Sequence, residues 1–402
     1  MGGLTPRSVL SRAADRILHT VSVPDPEPVS AQAAELHRQI PVVDLLIGSA
    51  IMRPDFIARR RYGHVDLPRA REGGIDLLGI SIATRLPDLR GTWSTPFFWS
   101  QGLPFRALRS DLATANALID RVEGWEAESN GALRIVRSEA DLAAVGGAGA
   151  GGPGGADAGG PESESGGPEG DARGRRGSWT GAFLGIQGGH ALEGDLANLE
   201  RLQARGLRML APAHVMDNEL VGSDTGVRKG GLTPYGRDVI AECQRIGLLV
   251  DLAHMSEAGI RDALPLVREP FVLSHTGLTA LAGQSVPLRH YSPQTRNLPS
   301  ELARDVAAAG GVIGLTLSTW LLGGDTLDAF GRAVDLALEL CGPDHVAIGS
   351  DMDGGLRMLV DAAGFPALTG ELLQRGHDAA TVTAVMGGNA LRVLRAVGPV
   401  AG

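Results

Sequence analysis

Eight short apolar runs recur along the chain, and most are separated by amphipathic segments. The runs are rich in Val, Ile and Leu without polar alternation, which is typical of strands buried on both faces of a sheet. Strands that alternate with helices form parallel sheets, and eight such units close into a barrel. The sequence therefore predicts a (β/α)8 TIM barrel. The predicted strands begin at residues 41, 75, 182, 207, 248, 271, 311 and 345.

The clearest of these units is the stretch from Leu248 to His275. Two apolar runs end on His254 and His275, and an amphipathic segment, Ser256 to Leu266, separates them. Both imidazoles are therefore expected at the carboxyl ends of neighbouring strands, where the reactive groups of such folds gather. Two neutral imidazoles in that position are suited to hold one metal ion between them. The alternative is a pair of histidines that cap loop carbonyls.

A segment of Gly, Pro, Ala, Ser and charged residues interrupts the pattern at 146–177. Such a segment buries too little apolar surface to offset the entropy of ordering, so we predict a disordered loop. Strand-like sequence resumes at Ala182, which favours one barrel domain over residues 41–398; a linker between two domains is the alternative. Residues 1–40 are predicted to form a leader with one packing helix from Ala31 to Arg38.

Composition and net charge exclude some classes of binding partner. Its 402 residues carry a formal charge of -9 and an isoelectric point near 5.6, which argues against nucleic-acid or anionic-membrane partners and favours a small-molecule ligand. Two cysteines are too few for a disulfide framework in a chain of this length. No apolar run has the length of a membrane span or a signal peptide, so a cytoplasmic location is predicted.

Polar residues end five of the predicted strands. Because the carboxyl ends of barrel strands share one mouth, these side chains are expected to converge there. Few structural roles place five polar groups in this way, so we predict a functional site at the mouth. The five residues are Gln187, His214, His254, His275 and Asp351.

The chain resembles the membrane dipeptidase family, also called renal dipeptidase, within the amidohydrolase superfamily of metal-dependent barrels. The resemblance runs from about residue 41 to 396 and omits the Gly-rich segment. Six motifs carry it: Gly185-Ile-Gln-Gly-Gly-His190, Gly231-Leu-Thr-Pro-Tyr-Gly236, Val250-Asp-Leu-Ala-His-Met-Ser256, Val272-Leu-Ser-His275, Arg296-Asn-Leu-Pro299 and Gly349-Ser-Asp-Met-Asp-Gly354.

The resemblance implies a zinc-dependent hydrolase of dipeptides and a homodimer. In the family a carboxylate and a hydroxide bridge two zinc ions, and His254 and His275 match the last pair of ligands. By the same resemblance, Asp351 would accept the proton of the attacking water and return it to the leaving amine. His214 would stabilise the tetrahedral oxyanion, and Arg296 would bind a substrate carboxylate. The residue types suit these roles.

Three positions depart from the family pattern. Leu46 and Gly48 occupy the positions of a family His-x-Asp ligand pair, and their side chains cannot donate to a metal. Gln187 replaces the bridging Glu, which keeps an oxygen but removes a negative charge. We therefore expect one ion at most, zinc or another divalent metal, or none. His254 and His275 would hold it, with Gln187 as a weak ligand.

Other polar residues near the mouth are expected to be structural. His64 and Asp66 have the spacing of the missing ligand pair, but they match a family segment ahead of the second strand and are not expected to replace it. Structural roles are also expected for His190, Asp353, Asp44 and Asp251.

Two hypotheses for function follow. The first is a hydrolase of dipeptides or a related small amide. The second is a catalytically inactive homologue that binds a small carboxylated ligand or a protein partner. Under either hypothesis, specificity is expected in the loops at 85–108, 215–230 and 283–297.

Overall fold

The structure is a computed structural model that describes residues 19–52, 55–85, 94–145, 178–268, 270–283 and 292–397. The predicted disordered loop at 146–177 lies outside these ranges, as do parts of two predicted specificity loops, 86–93 and 284–291. The strands are β1 Val43–Ile47, β2 Leu77–Ala83, β3 Leu133–Ile135, β4 Thr180–Gln187, β5 Leu207–Ala211, β6 Leu249–Asp251, β7 Phe271–Thr276, β8 Val312–Leu315 and β9 Val346–Ile348.

The described strands form one parallel sheet, in the order β1-β2-β4-β5-β6-β7-β8-β9. Backbone bonds join its two edges: the Asp351 N–H donates to the Leu46 carbonyl (3.0 Å), and the Gly48 N–H donates to the Met352 carbonyl (2.7 Å). These bonds form the β9/β1 seam of a nearly closed barrel. The prediction of a (β/α)8 TIM barrel is confirmed. The short strand β3 pairs with β4 outside the barrel order.

Helices follow most of the strands. They are α1 Ala31–Gln39, α2 Ser49–Met52, α3 Leu67–Glu72, α4 Ser94–Ser100, α5 Asp111–Glu128, α6 Glu139–Ala144, α7 Ala197–Ala204, α8 Pro234–Ile246, α9 Glu257–Ala263, α10 Pro293–Arg296, α11 Ser300–Ala308, α12 Thr319–Leu322, α13 Leu327–Cys341, α14 Phe365–Gln374, α15 Ala379–Thr383 and α16 Asn389–Val397. None of the helices in the described ranges is long and apolar enough to cross a membrane.

Helix starts follow local chemistry. Thr233 caps α8 by accepting from the Gly236 N–H, and Pro234 occupies the first turn, where its missing N–H costs nothing. Ser256 caps α9 in the same way, through the Gly259 N–H. This cap fixes where the chain turns after β6 and hence the position of His254.

The two ends of the barrel differ. The C-terminal helix α16 contacts β1, β6, β8 and β9. Its Leu391 and Leu394 share an apolar cluster with Val43, Leu249 and Val312, which lie at the beginnings of strands. The amino-terminal end of the barrel is therefore packed shut, and the predicted site residues lie at the opposite end.

The leader helix α1 is tied to the barrel by one buried histidine. His37 lies within hydrogen-bond distance of the Thr369 hydroxyl (2.7 Å) on α14 and of the Gly73 carbonyl (2.9 Å) after α3. These contacts dock α1 on the outer layer. The domain boundary at residue 40 stays a prediction.

Candidate functional site

The five predicted mouth residues all lie at the carboxyl ends of their strands. Gln187 is the last residue of β4, His275 is the penultimate residue of β7, and the other three follow β5, β6 and β9 by three residues each. Two of the five have left-handed backbone conformations, His254 with φ 64° and Asp351 with φ 61°. Non-glycine residues adopt this conformation at an energetic cost, and such residues cluster at functional sites.

His254 and His275 converge on one point. Their Nε2 atoms are 3.0 Å apart, their ring centroids are 4.9 Å apart, and both side chains are buried. Burial and the nearby Arg296 guanidinium hold the pKa of each ring well below its usual value. Both imidazoles are therefore neutral at pH 7.

A buried relay orients His275. Asp251 accepts from the Ser274 hydroxyl (2.6 Å) and from the Ser274 N–H (2.8 Å). Since the hydroxyl proton is committed to Asp251, the Ser274 oxygen is free to accept from His275 Nδ1, which lies 2.8 Å away. That bond places the ring proton on Nδ1 and leaves the Nε2 lone pair facing His254. Contacts of this kind fix the tautomer of metal-binding histidines.

The histidine pair supplies two of the donors that a divalent ion needs. With its ring proton on Nδ1, His275 accepts at Nε2 from the His254 Nε2–H across 3.0 Å, and both rings are nitrogen donors of the kind that zinc binds. However, the described ranges contain no group of three or more His, Cys, Asp or Glu side chains that could hold a metal. The Gln187 carbonyl oxygen accepts from the Ser81 hydroxyl (2.6 Å), and its amide nitrogen lies 3.5 Å from His275 Nε2. An amide nitrogen does not ligate, so Gln187 would have to flip to contribute its oxygen.

The two positions that depart from the family ligand pair are closed to side chains that could replace it. Leu46 is buried in an apolar cluster. Gly48 packs against the loop after β9, where a Cβ atom would lie 2.7 Å from the Asp353 carbonyl oxygen. A ligand side chain at 48 therefore requires the backbone of one segment to move.

Asp351 stands on a relay like that of His275. Asp44 accepts from the Ser350 N–H (2.8 Å) and from the Ser350 hydroxyl, one residue before Asp351. Burial raises the pKa of Asp44 to about 7 and that of Asp351 to about 6, although Arg296 opposes the rise at Asp351. Asp351 is therefore mostly ionised at neutral pH, with a pKa closer to neutrality than an ordinary carboxyl, as general bases require.

His214 and His190 extend the group of neutral imidazoles. The His214 ring lies edge-on to His254, with centroids 4.9 Å apart, and burial lowers its pKa to about 3. Burial also lowers the pKa of His190 to about 4. Neither ring nitrogen of His190 has a hydrogen-bond partner among the described residues, so the structural bond expected for it is absent there. A buried, unsatisfied imidazole beside a functional site is a candidate ligand contact.

The sequence analysis missed Asp224, which lies between two predicted site residues. Its carboxylate is 3.6 Å from His254 Nδ1 and 3.4 Å from Arg296 Nη1. Burial raises the pKa of Asp224 to about 6, while Arg296 lowers it. Arg296 also donates to the His275 carbonyl (2.9 Å). No local motif marks Asp224 as functional, because its loop reaches the site only through tertiary contacts.

The remaining polar residues have structural partners. His64 Nδ1 accepts from the Asp353 N–H (3.1 Å), and the Asp353 carboxylate accepts from the His64 N–H (2.9 Å). Asp66 caps α3 and pairs with Arg69. These bonds agree with the expectation that His64 and Asp66 do not replace the missing ligand pair.

Comparisons with known proteins extend the resemblance. The chain is similar to dipeptidase tcpJ of Claviceps purpurea (strain 20.1), with 33% identity over 229 residues, 55% of this chain and 52% of that protein. The chain thus spans about half the length of the curated relatives it matches.

Solved structures share the fold. The probable dipeptidase PvdM from Pseudomonas aeruginosa aligns with a TM-score of 0.69 and 19% identity, over 91% of this chain and 97% of that one. A metallo peptidase from Rhodobacter sphaeroides, liganded with a phosphinate mimic of the dipeptide L-Ala-D-Ala, aligns with a TM-score of 0.67 and 23% identity, over 89% of this chain and 99% of that one. The sequence model of the family described as "Membrane dipeptidase (Peptidase family M19)" matches residues 172–402. This match covers more than half of the chain, and the chain therefore belongs to this family.

Proposed function

We propose that this protein hydrolyses dipeptides or a related small amide, with at most one divalent metal ion at His254 and His275. One observation carries the proposal. Two neutral imidazoles bring their Nε2 atoms within 3.0 Å of each other at the barrel mouth, and a Ser–Asp relay holds the ring proton of His275 on Nδ1, away from that point. A hydrogen bond between the two rings accounts for this contact, and a cation bound through both nitrogens would replace that bond.

The bound ion would lower the pKa of a water molecule and polarise the scissile carbonyl. Residues of the chain would transfer the protons, stabilise the oxyanion and position the ligand. Asp351 would accept a proton from the attacking water and return it to the leaving amine, for which a pKa of about 6 is suitable. The neutral His214 ring would donate a hydrogen bond to the developing oxyanion. Arg296 would face the carboxyl-terminal end of the ligand.

The relatives support the substrate class. The Claviceps protein is named a dipeptidase, and the Rhodobacter enzyme was crystallised with a dipeptide mimic. Both names point to a small ligand with an amide bond. Zinc is the ion we propose, because imidazole nitrogens suit it and a single zinc ion can serve hydrolysis.

Metal content and turnover test the proposal together. We expect purified protein, dialysed against zinc, cobalt or manganese, to hold no more than one ion per chain and to hydrolyse members of a dipeptide panel only when the ion is present. His254→Ala and His275→Ala should remove both the ion and the activity. His377→Ala is the matched control, because His377 pairs with Asp335 away from the mouth and should leave both unchanged.

Absence of both metal and hydrolysis would contradict this function and favour a second one. In that case the protein would be a catalytically inactive homologue that binds a small ligand or a protein partner. The observation in its favour is that Leu46, Gly48 and Gln187 supply no anionic side chain at the three departing positions. Binding of a dipeptide without turnover, measured by calorimetry, would establish it.

A homodimer and a cytoplasmic location stay predictions. Light scattering of the purified chain at several concentrations tests the first, and fractionation of the source cells tests the second.

A further inference from the structure

We propose that Asp224 is a specificity-determining residue that excludes free carboxylates from Arg296, so that the ligand presents a neutral end to this part of the mouth. The inference rests on the proposed function, because it concerns the same ligand. It replaces the carboxylated ligand expected from the family pattern with a neutral one, such as the carboxamide of a dipeptide amide.

The position of Asp224 is built into the fold. The Asp224 N–H donates to the His254 carbonyl (2.8 Å), and the Ser256 N–H donates to the Gly222 carbonyl (2.8 Å). Ser223 and Met255 form an antiparallel bridge in the same place. The loop is therefore bonded at residues 222–224 to the segment that follows β6, and the carboxylate is fixed beside the site.

The positive charge of Arg296 is already compensated, and its guanidinium group is hydrogen-bonded. Its Nη1 lies 3.4 Å from Asp224 Oδ2, with 2% and 8% of the two side chains exposed. Its Nη2 donates to the His275 carbonyl. An internal carboxylate therefore already compensates the charge that a ligand carboxylate at Arg296 would use.

A ligand carboxylate at Arg296 would lie against the carboxylate of Asp224, because Asp224 Oδ2 is 3.4 Å from Arg296 Nη1. Like charges brought together in a buried site repel strongly.

A neutral ligand end avoids this repulsion. A carboxamide carries no net charge, its oxygen accepts hydrogen bonds and its nitrogen donates them. The edge formed by Arg296 and Asp224 offers both a donor and an acceptor. A carboxylate has no proton to donate to Asp224, so it can satisfy only half of that edge.

The test compares alanyl-alanine with alanyl-alaninamide, two probes that differ only at the carboxyl-terminal end. Calorimetry on the full chain should show that the wild type binds the amide about tenfold more tightly or better. Asp224→Asn, which keeps the shape and the backbone bonds, should tighten binding of the free dipeptide by about tenfold and abolish the preference. Asp224→Ser, with thermal unfolding measured alongside, serves if the Asn variant folds poorly.

Glu219→Gln is the matched control, because Glu219 is an exposed carboxylate of the same loop and should not alter the preference. If the wild type binds the free dipeptide as tightly as the amide, and Asp224→Asn changes nothing, the inference fails while the proposed function stands. If neither probe binds to the wild type or to any variant, the proposed function fails and the inference with it.

Discussion

The β6/β7 seam and the β9/β1 seam have the same framework and different chemistry. Each uses a Val-Asp-Leu sequence whose aspartate accepts from the N–H and the hydroxyl of a serine in, or two residues after, the neighbouring strand. In each, the serine immediately precedes a site residue, His275 or Asp351. We call these aspartate–serine bonds the clamp. At the β6/β7 seam the clamp precedes two converging imidazoles, whereas at the β9/β1 seam it precedes Leu46 and Gly48 on the β1 side.

The aspartate–serine clamp therefore does not depend on a metal ligand beside it. The aspartate–serine bonds hold strand ends together wherever they occur, so they persist at a seam with no ligand pair. Function at the mouth then depends on which side chains follow each clamp. This separation of framework from chemistry can be tested from both sides.

The largest expected effect is on folding, and it should be equal at the two seams. Asp44→Ala and Asp251→Ala each leave three donors without an acceptor, so each should lower the free energy of unfolding by about 3–5 kcal/mol. Urea unfolding followed by circular dichroism measures it. Asp305→Ala, in an exposed pair with Arg261, should change the value by less than about 0.5 kcal/mol. A large loss at only one seam would contradict the equivalence.

The next effect is steric and belongs to the β9/β1 seam alone. Gly48→Ala places a Cβ atom 2.7 Å from the Asp353 carbonyl oxygen, and overpacking of this kind costs about 2 kcal/mol. Gly124→Ala is the matched control: no atom lies within 4 Å of its Cβ position, and alanine favours the α5 helix by about 1 kcal/mol. Thermal unfolding should show a lower unfolding temperature for Gly48→Ala and a higher one for Gly124→Ala. A stable Gly48→Ala protein would show that the loop after β9 yields easily.

Metal affinity should depend on the β6/β7 seam and not on the β9/β1 seam. Ser274→Ala removes the acceptor of His275 Nδ1, and loss of such a partner weakens metal binding about tenfold or more. Ser350→Ala removes the equivalent hydroxyl beside Asp351 and should leave metal affinity unchanged. Titration of cobalt against a chelator measures both. Equal losses would mean that both seams contribute to one ion.

The smallest effect is in the pH dependence of stability. Burial raises the pKa of Asp351 from 3.8 to about 6, so between these values the folded state holds a proton that the unfolded state has lost. Stability from this group is full below about pH 4 and falls as the pH rises to about 6. Asp351→Asn should therefore gain about 1 kcal/mol relative to wild type between pH 4.5 and pH 5.5. Unfolding at both pH values tests it, and a difference that shrinks as the pH rises would contradict the assignment.

The barrel could be predicted from the sequence because continuous apolar runs specify buried strands without reference to distant residues. All eight barrel strands lie where the runs predicted them, although the structure ends β6 at Asp251, before His254. The short strand β3 is not among the eight predicted runs. Its pairing depends on β4, which follows the Gly-rich segment.

The site could be predicted only where residues end strands. His254 and His275 meet because β6 and β7 are neighbours, and sequence order determines that. The contact of Asp224 with Arg296 and the contact of Gly48 with Asp353 depend on how loops fold over the mouth. No periodicity encodes these contacts, so they were beyond sequence reasoning.

The bonds between Asp44 and Ser350 join positions 306 residues apart, and this separation sets the order of assembly during synthesis. A ribosome releases the amino-terminal residues first, so β1 emerges long before β9 exists. During that interval β1 can pair with β2, but its other edge remains open to foreign strands. Barrel closure is therefore the final step for the nascent chain, and we expect a strong demand for chaperones while β1 waits for its last partner.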